Sequence, residues 1–360
     1  MSRPTTHDWL VLQEGDRRRW GGDLRRAFIF RELAERSGAT IGPGWSPAIV
    51  RAGLATASGP HRLPSLRRRR PLVASAESLG APALHEVRRR AVPFALDVHD
   101  DPVAQFAAVG VSARAERLLE LRAGFAANLN AFAWHVAPSA TFAELTGLVP
   151  DRTILAPNGT DTSHVRPGPL PAEPTIGFIS GAAPGRGIET LVEAARLVRE
   201  QLPGVRLRLW LVATGESGRG YLEALGAELA ADAWIRIAPA PYERLGEELA
   251  GATVLCIPHP ANPYLDSAMP VKLFDSMAAG RPVVVTPRTE TRAVVERADA
   301  GLVASGERAE DLAAALLTVL ADPQLAARLG ANGRAAAERD YDWSVIGDRL
   351  ADELLLRADS

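Results

Sequence analysis

A single cysteine, Cys256, rules out any disulfide within the chain, and its place in the apolar run 253–257 suits a small buried hydrophobe rather than a nucleophile. No stretch of about 18 apolar residues runs without a charge, so no helix is expected to span a bilayer. The first nine residues are polar and lack the apolar centre of a signal peptide; with the lone cysteine, this points to the cytoplasm. The Gly-x-Gly-x-x-Gly spacing is absent, which counts against a dinucleotide-dependent dehydrogenase. Lysine is as scarce as cysteine: of 41 basic residues only Lys272 is not an arginine. No repeat of solenoid period and no low-complexity segment stands out.

What is present is ordinary globular material: 360 residues, 47% apolar and 23% charged, more than one hydrophobic core usually holds. Two domains are therefore expected. The net charge of −2 divides unevenly, with 21 Arg against 16 acids in 1–165 and 20 basic residues against 27 acids in 166–360. Arginine runs at 17–19, 67–70 and 88–90 fit solvated faces, or contacts to anionic head groups or a phosphorylated acceptor. The overall charge and the lack of a recognisable module speak against nucleic acid.

Short apolar runs alternate with amphipathic stretches, the pattern of βαβ units and a parallel sheet, and the series occurs twice. Strands are expected at 9–13, 72–76, 94–99, 133–137 and 153–156, with helices at 24–36, 113–130 and 140–146. Four prolines in 166–174 mark a linker. Behind it strands are expected at 175–179, 207–213, 234–237, 253–257, 282–286 and 301–304, with helices at 188–201, 221–230, 244–249, 272–279 and 309–320. The end, 323–356, reads as helices broken near Tyr341 and Trp343. The reading is an α/β chain of two Rossmann-like, doubly wound domains facing across a cleft: 1–165 with the last helix 345–360, and 175–344. Binding loops should lie at the carboxyl ends of the strands.

Four loops carry candidate chemistry. After the first strand, Gly21 and Gly22 open a helix, where amides and the helix dipole can meet an anion or where the turn simply needs glycine. In 97–101, His99 sits among three carboxylates and suits proton transfer, hydroxyl or phosphate binding, or a structural role; as a metal site the loop lacks a second set of ligands. In Ser180-Gly-Ala-Ala-Pro-Gly-Arg-Gly187, flexible backbone around Gly181 and a cation, Arg186, suit a pyrophosphate. In Ser267-Ala-Met-Pro-Val-Lys-Leu-Phe-Asp275, a turn runs into a helix bearing Lys272 and Asp275, which Gly280 stops.

The run from Pro270 to Val284 resembles the signature of the retaining glycosyltransferases called group 1 or family four, of the GT-B fold. Arg186-Gly-Ile-Glu-Thr-Leu-Val-Glu-Ala194, Pro157-Asn-Gly-Thr-Asp161 and Asp342-Trp-Ser344 resemble further family segments in order. Over the first 150 residues only the Gly21-Gly22 loop and Val98-His99-Asp100 match. The resemblance implies a nucleotide-sugar donor, an acceptor that is a glycan, a lipid-linked molecule at a membrane surface or a small molecule, and no obligatory metal or other cofactor. It gives the donor phosphates to Arg186 and Lys272, with Gly21 and Gly22 beside the leaving phosphate. Gly181, Ser267, Met269, Pro270 and Val271 line the donor, Asp275 takes the ribose hydroxyls, and His99 faces the sugar. Family members often carry Glu where this chain has Ser267 and Asp275, and a basic residue where it has Ala182. A GT-B epimerase, a phosphorylase-like enzyme, or a nucleotide-sugar-binding scaffold without turnover would share much of this pattern.

Overall fold

The computed structural model of the chain describes 10–12, 40–42, 71–75, 92–99, 101, 104, most of 122–131, and 132–358 apart from Thr214. Two units emerge, one built on Ser112–Pro157 and Trp343–Ser360 with the strands that precede them, the other on Asn158–Asp342.

Among the described residues the first unit holds six parallel strands: β1 (Leu10–Leu12), β2 (Thr40–Gly42), β3 (Pro71–Ser75), β4 (Val92–Asp97), β5 (Trp134–Ala137) and β6 (Thr153–Leu155), in the order β2-β1-β3-β4-β5-β6. Of these, β2 was not foreseen, because three residues are too few to show a two-residue period. Helix α1 (Ala140–Leu145) starts where Ser139 Oγ accepts the amide of Phe142 at 3.1 Å. Leu96, Val98, Phe132, Ala137 and Phe142 form its described core. The helix expected at 24–36 lies outside the described residues.

The second unit alternates strand and helix: β7 (Thr175–Gly181), α2 (Ile188–Gln201), β8 (Arg206–Val212), α3 (Gly215–Glu228), β9 (Ile235–Ala238), α4 (Leu245–Ala250) and β10 (Val254–Ile257). There follow α5 (Pro263–Ser267), α6 (Val271–Ala278), β11 (Val283–Val285), α7 (Thr289–Ala298), β12 (Gly301–Val303), α8 (Ala309–Ala321) and α9 (Pro323–Ala336). All six strands are parallel, ordered β12-β11-β10-β7-β8-β9. The sheet grows from β7 to one side and restarts from β10 on the other. That reversal leaves a crevice beyond the carboxyl ends of β7 and β10, the place where doubly wound sheets bind ligands.

Burial explains the pattern. Central β7 is buried on both faces, so it reads as a continuous apolar run rather than an alternation. Ile176 and Phe178 pack with Leu191, Val198, Leu312 and Leu316 of α2 and α8 on one side of the sheet. Cys256 is buried in the same cluster, and desolvation holds its thiol protonated. Helix α7 was missed because only Thr291, Val294 and Val295 turn inward, too narrow a stripe to show in sequence. Helix α3 begins earlier than expected because its glycines, Gly215, Gly218 and Gly220, are poor helix formers.

Two boundaries differ from expectation. The division falls between Pro157 and Asn158 instead of at 165, since Thr160 and Val165 are buried with the second unit. Nor is 166–174 a free linker. The buried guanidinium of Arg281 donates through Nη2 to the carbonyls of Gly168 and Pro169, both at 2.7 Å, and of Ala250 at 2.6 Å. Proline-rich backbone has few amides with which to pair itself, so its carbonyls need a donor from outside.

The chain leaves the second unit beside the point where it enters. Thr160 N donates to Tyr341 O at 2.9 Å, and Thr162 donates to Asp342 Oδ2 through its amide at 3.0 Å and its hydroxyl at 2.5 Å. The last helix, α10 (Trp343–Ala358), then groups with the first unit, where the Arg357 guanidinium lies 4.9 Å from the ring centroid of Trp134. Among the described residues no single helix is long and apolar enough to cross a membrane.

Arg281→Met is expected to strand three carbonyls and to destabilise the second unit by about 3 kcal/mol. Chemical denaturation followed by the fluorescence of Trp210 and Trp234 checks this; an unchanged midpoint would show that the proline-rich stretch holds itself.

Candidate functional site

Three segments of the second unit meet at the crevice. The first is the turn after β7. Gly187 caps α2 in the left-handed region at φ 77°, and a Cβ placed on it would lie 1.8 Å from the carbonyl oxygen of Pro258. Only glycine combines that conformation with so close an approach. The contact seats the preceding residue, Arg186, against the segment that follows β10. Arg186 Nε is buried and has no hydrogen-bond partner among the described residues.

The second segment is the start of α6. Its N-terminal residue Val271 follows Pro270, and Met269 just before accepts a 2.7 Å hydrogen bond from Asn158 Nδ2. Lys272 points back to the sheet: Nζ donates to Ser180 Oγ at the end of β7, at 3.0 Å, and sits 4.8 Å from the ring centroid of Phe178. Burial and the neighbouring Arg186 both push the Lys272 ammonium well below the usual lysine range. Among the described residues neither cation forms an ion pair. Two like charges held in a partly desolvated crevice favour an anion between them.

The third segment follows β10. His259 is 2% exposed, and its carbonyl accepts from Thr286 Oγ1 at 2.6 Å. Sequence reasoning passed over this residue. The one signal available was its position, two residues past a buried strand that proves to adjoin β7. Arg288 also lies near, already engaged by Asp266 at 3.1 Å and by Glu307.

The other candidates fall out as follows. Gly181 ends β7, adjoining Ser180. Ser267 is fully buried and its hydroxyl donates to Tyr264 O at 2.9 Å, closing α5. Asp275 is 3% exposed on α6 and accepts from Thr160 Oγ1 at 2.9 Å, which ties it to the Asn158–Asp161 turn. Ala182, at a position that is often basic in the family it resembles, is packed in the apolar core. His99 belongs to the first unit, where Nδ1 meets the buried Asp97 carboxylate at 2.6 Å. Gly21 and Gly22 lie outside the described residues. No group of three or more His, Cys, Asp or Glu is placed to hold a metal among the described residues.

Known proteins resemble this arrangement. Residues 173–322 match the family model described as glycosyl transferases group 1. A D-inositol 3-phosphate glycosyltransferase of Rhodococcus erythropolis is 29% identical over 58% of this chain and 49% of its own length. A GDP-mannose-dependent alpha-(1-6)-phosphatidylinositol monomannoside mannosyltransferase of Mycobacterium tuberculosis is 28% identical over 55% of this chain and 54% of its own. The alignments thus span about half the length of these curated relatives. Among solved structures, sucrose-phosphate synthase from Thermosynechococcus elongatus superposes with a TM-score of 0.73 at 18% identity, over 98% of this chain and 100% of that one. At that identity the likeness shows the fold, a GT-B pair of Rossmann-like units.

Gly187→Ala is expected to force the Arg186 turn off Pro258 and to cost at least about 2 kcal/mol of stability. A melting curve of the variant equal to that of the native protein would refute the close approach.

Proposed function

We propose that this chain, a member of the group 1 glycosyltransferase family through residues 173–322, transfers a sugar from a nucleotide-sugar donor to an acceptor. The observation that carries this reading is the pair Lys272 and Arg186, two cations that form no ion pair among the described residues, at the switch point of a doubly wound sheet. Breaking the bond between sugar and diphosphate builds negative charge on the departing phosphate. Cations fixed in a crevice shielded from water stabilise that charge without having to reorganise. The start of α6 adds backbone amides and a favourable dipole.

The transfer retains configuration through attack on the face from which the diphosphate leaves, and it needs no bound metal, because Lys272 and Arg186 supply the countercharge. Asp275 accepts hydrogen bonds from the donor ribose. His99 on the first unit, oriented by Asp97, serves the transferred sugar; that role rests on the resemblance alone. The acceptor is a phosphorylated or lipid-linked molecule met at the cytoplasmic face of a membrane. The activities after which the two relatives are named support this, as does the excess of arginine in 1–165.

Thermal shifts with UDP, GDP, ADP and dTDP test the donor site: one of them is expected to raise the melting temperature. If none does and purified protein neither hydrolyses nor transfers from any nucleotide sugar, the reading falls. Lys272→Arg keeps the charge but must fit a planar fork between Ser180 and Phe178. It is expected to lower turnover at least about tenfold, on the order of 1.4 kcal/mol, in a folded protein.

Asp275 is tested by a pair of variants. Asp275→Asn is expected to weaken nucleotide binding at least about tenfold in calorimetry. Thr160→Val, which removes the same hydrogen bond from the other side, should cost about 1 kcal/mol of stability and leave affinity intact. Equal affinities in all three proteins would make Asp275 a structural pin.

A further inference from the structure

A third nitrogen base stands with Lys272 and Arg186, and nothing in the fold accounts for it. Buried imidazoles ordinarily spend an N–H on an acceptor, as His135 does in the first unit, donating from Nε2 to Leu129 O at 2.8 Å. His259 is as buried, yet among the described residues neither Nδ1 nor Nε2 has a hydrogen-bond partner. Its backbone is held on two sides, by Thr286 Oγ1 on the carbonyl and by Gly187 packed against Pro258. The ring is therefore kept at the crevice with both nitrogens idle.

The groups that act on it come from three elements, and all are cations: Lys272 of α6, Arg186 before α2, and Arg288 at the start of α7. Arg288 already has Asp266 and Glu307. Burial first, and these charges after it, hold His259 neutral, its pKa well below the usual histidine range. An idle neutral ring among cations is a poor arrangement for an empty protein and a useful one for a site awaiting negative charge.

We propose that His259 is a third ligand of the donor diphosphate, which takes up a proton from solvent when the nucleotide sugar binds and donates it as an N–H to a phosphoryl oxygen. This rests on the reading of the crevice as the donor site. The proton balance is simple: donor plus one proton enter together, and the diphosphate's two negative charges offset the field of the cations at the ring. The sign follows from linkage. Binding that favours the protonated ring weakens as pH rises, by up to about tenfold per unit for one proton, between the low value of the empty protein and the raised value of the complex. His259 is thereby a binding residue that makes donor affinity depend on pH near neutrality.

Isothermal calorimetry on the full chain tests this with GDP-mannose and with UDP-glucose, whose diphosphate diesters keep a constant charge across the neutral range. Each titration is run in two non-phosphate buffers of different ionisation enthalpy, at several pH values. For whichever donor binds, the native protein is expected to take up close to one proton per donor, and affinity to fall as pH rises. His259→Gln keeps an amide donor but cannot titrate, and should bind with no uptake and a flat profile. Native protein that binds without taking up a proton overturns the proposal. So does a His259→Gln protein that still takes one up, since the proton then goes elsewhere. If neither sugar nucleotide binds the native protein, the titration uses the glucose ester of whichever other nucleoside diphosphate raises the melting temperature; if none of the four does and no nucleotide sugar is turned over, the donor-site reading itself fails and takes this one with it. Should the variant not fold, the nitrogen NMR shifts of the His259 ring in native protein decide the same question: neutral when empty and protonated with donor is expected, while a ring unchanged by donor overturns it.

Discussion

Lys272 and Arg186 repel one another in a crevice partly closed to water, and the second unit is arranged so that they cannot move apart. Lys272 is held by Ser180 and lies by the face of Phe178, both on the central strand β7. Arg186 follows from the contact of Gly187 with Pro258. Each of these anchors belongs to β7 or to the segment after β10, the two neighbours at which the strand order reverses. The cost of gathering the charges is thus met by ordinary packing of a doubly wound sheet. A ligand that neutralises them recovers part of it on binding. That is why an anion fits this place better than a neutral molecule.

Strands 175–179, 253–257 and 282–286 were legible because central parallel strands are buried on both faces and read as unbroken apolar runs. What escaped the sequence did so for physical reasons. Strand β2 pairs through three residues, and α7 buries only one narrow stripe. The proline-rich stretch looked like a linker because its prolines preclude regular structure. Its carbonyls are satisfied by Arg281, more than a hundred residues away, a partner no local pattern can announce.

The candidate site divides in the same way. Lys272 stood out by being the only lysine, and Arg186 by its glycines. His259 carried no signal of its own, because a histidine between two prolines acquires meaning only when β10 is known to adjoin β7. Ser267 and Ala182 were visible as departures from the family pattern but not as what they are. One closes a short helix, and the other fills the core.

The paired passage of the chain, Thr160 and Thr162 bound to Tyr341 and Asp342, has a meaning for how such proteins can be rebuilt. Both ends of the second unit emerge side by side, so the stretch from 158 to 342 is a cassette with adjacent cut points, set into the first unit as an insertion. A cassette of this kind can be lifted out or exchanged for that of a relative by two joints that must close over only a few ångströms. Whatever the second unit binds is then transplantable separately from whatever the first unit recognises.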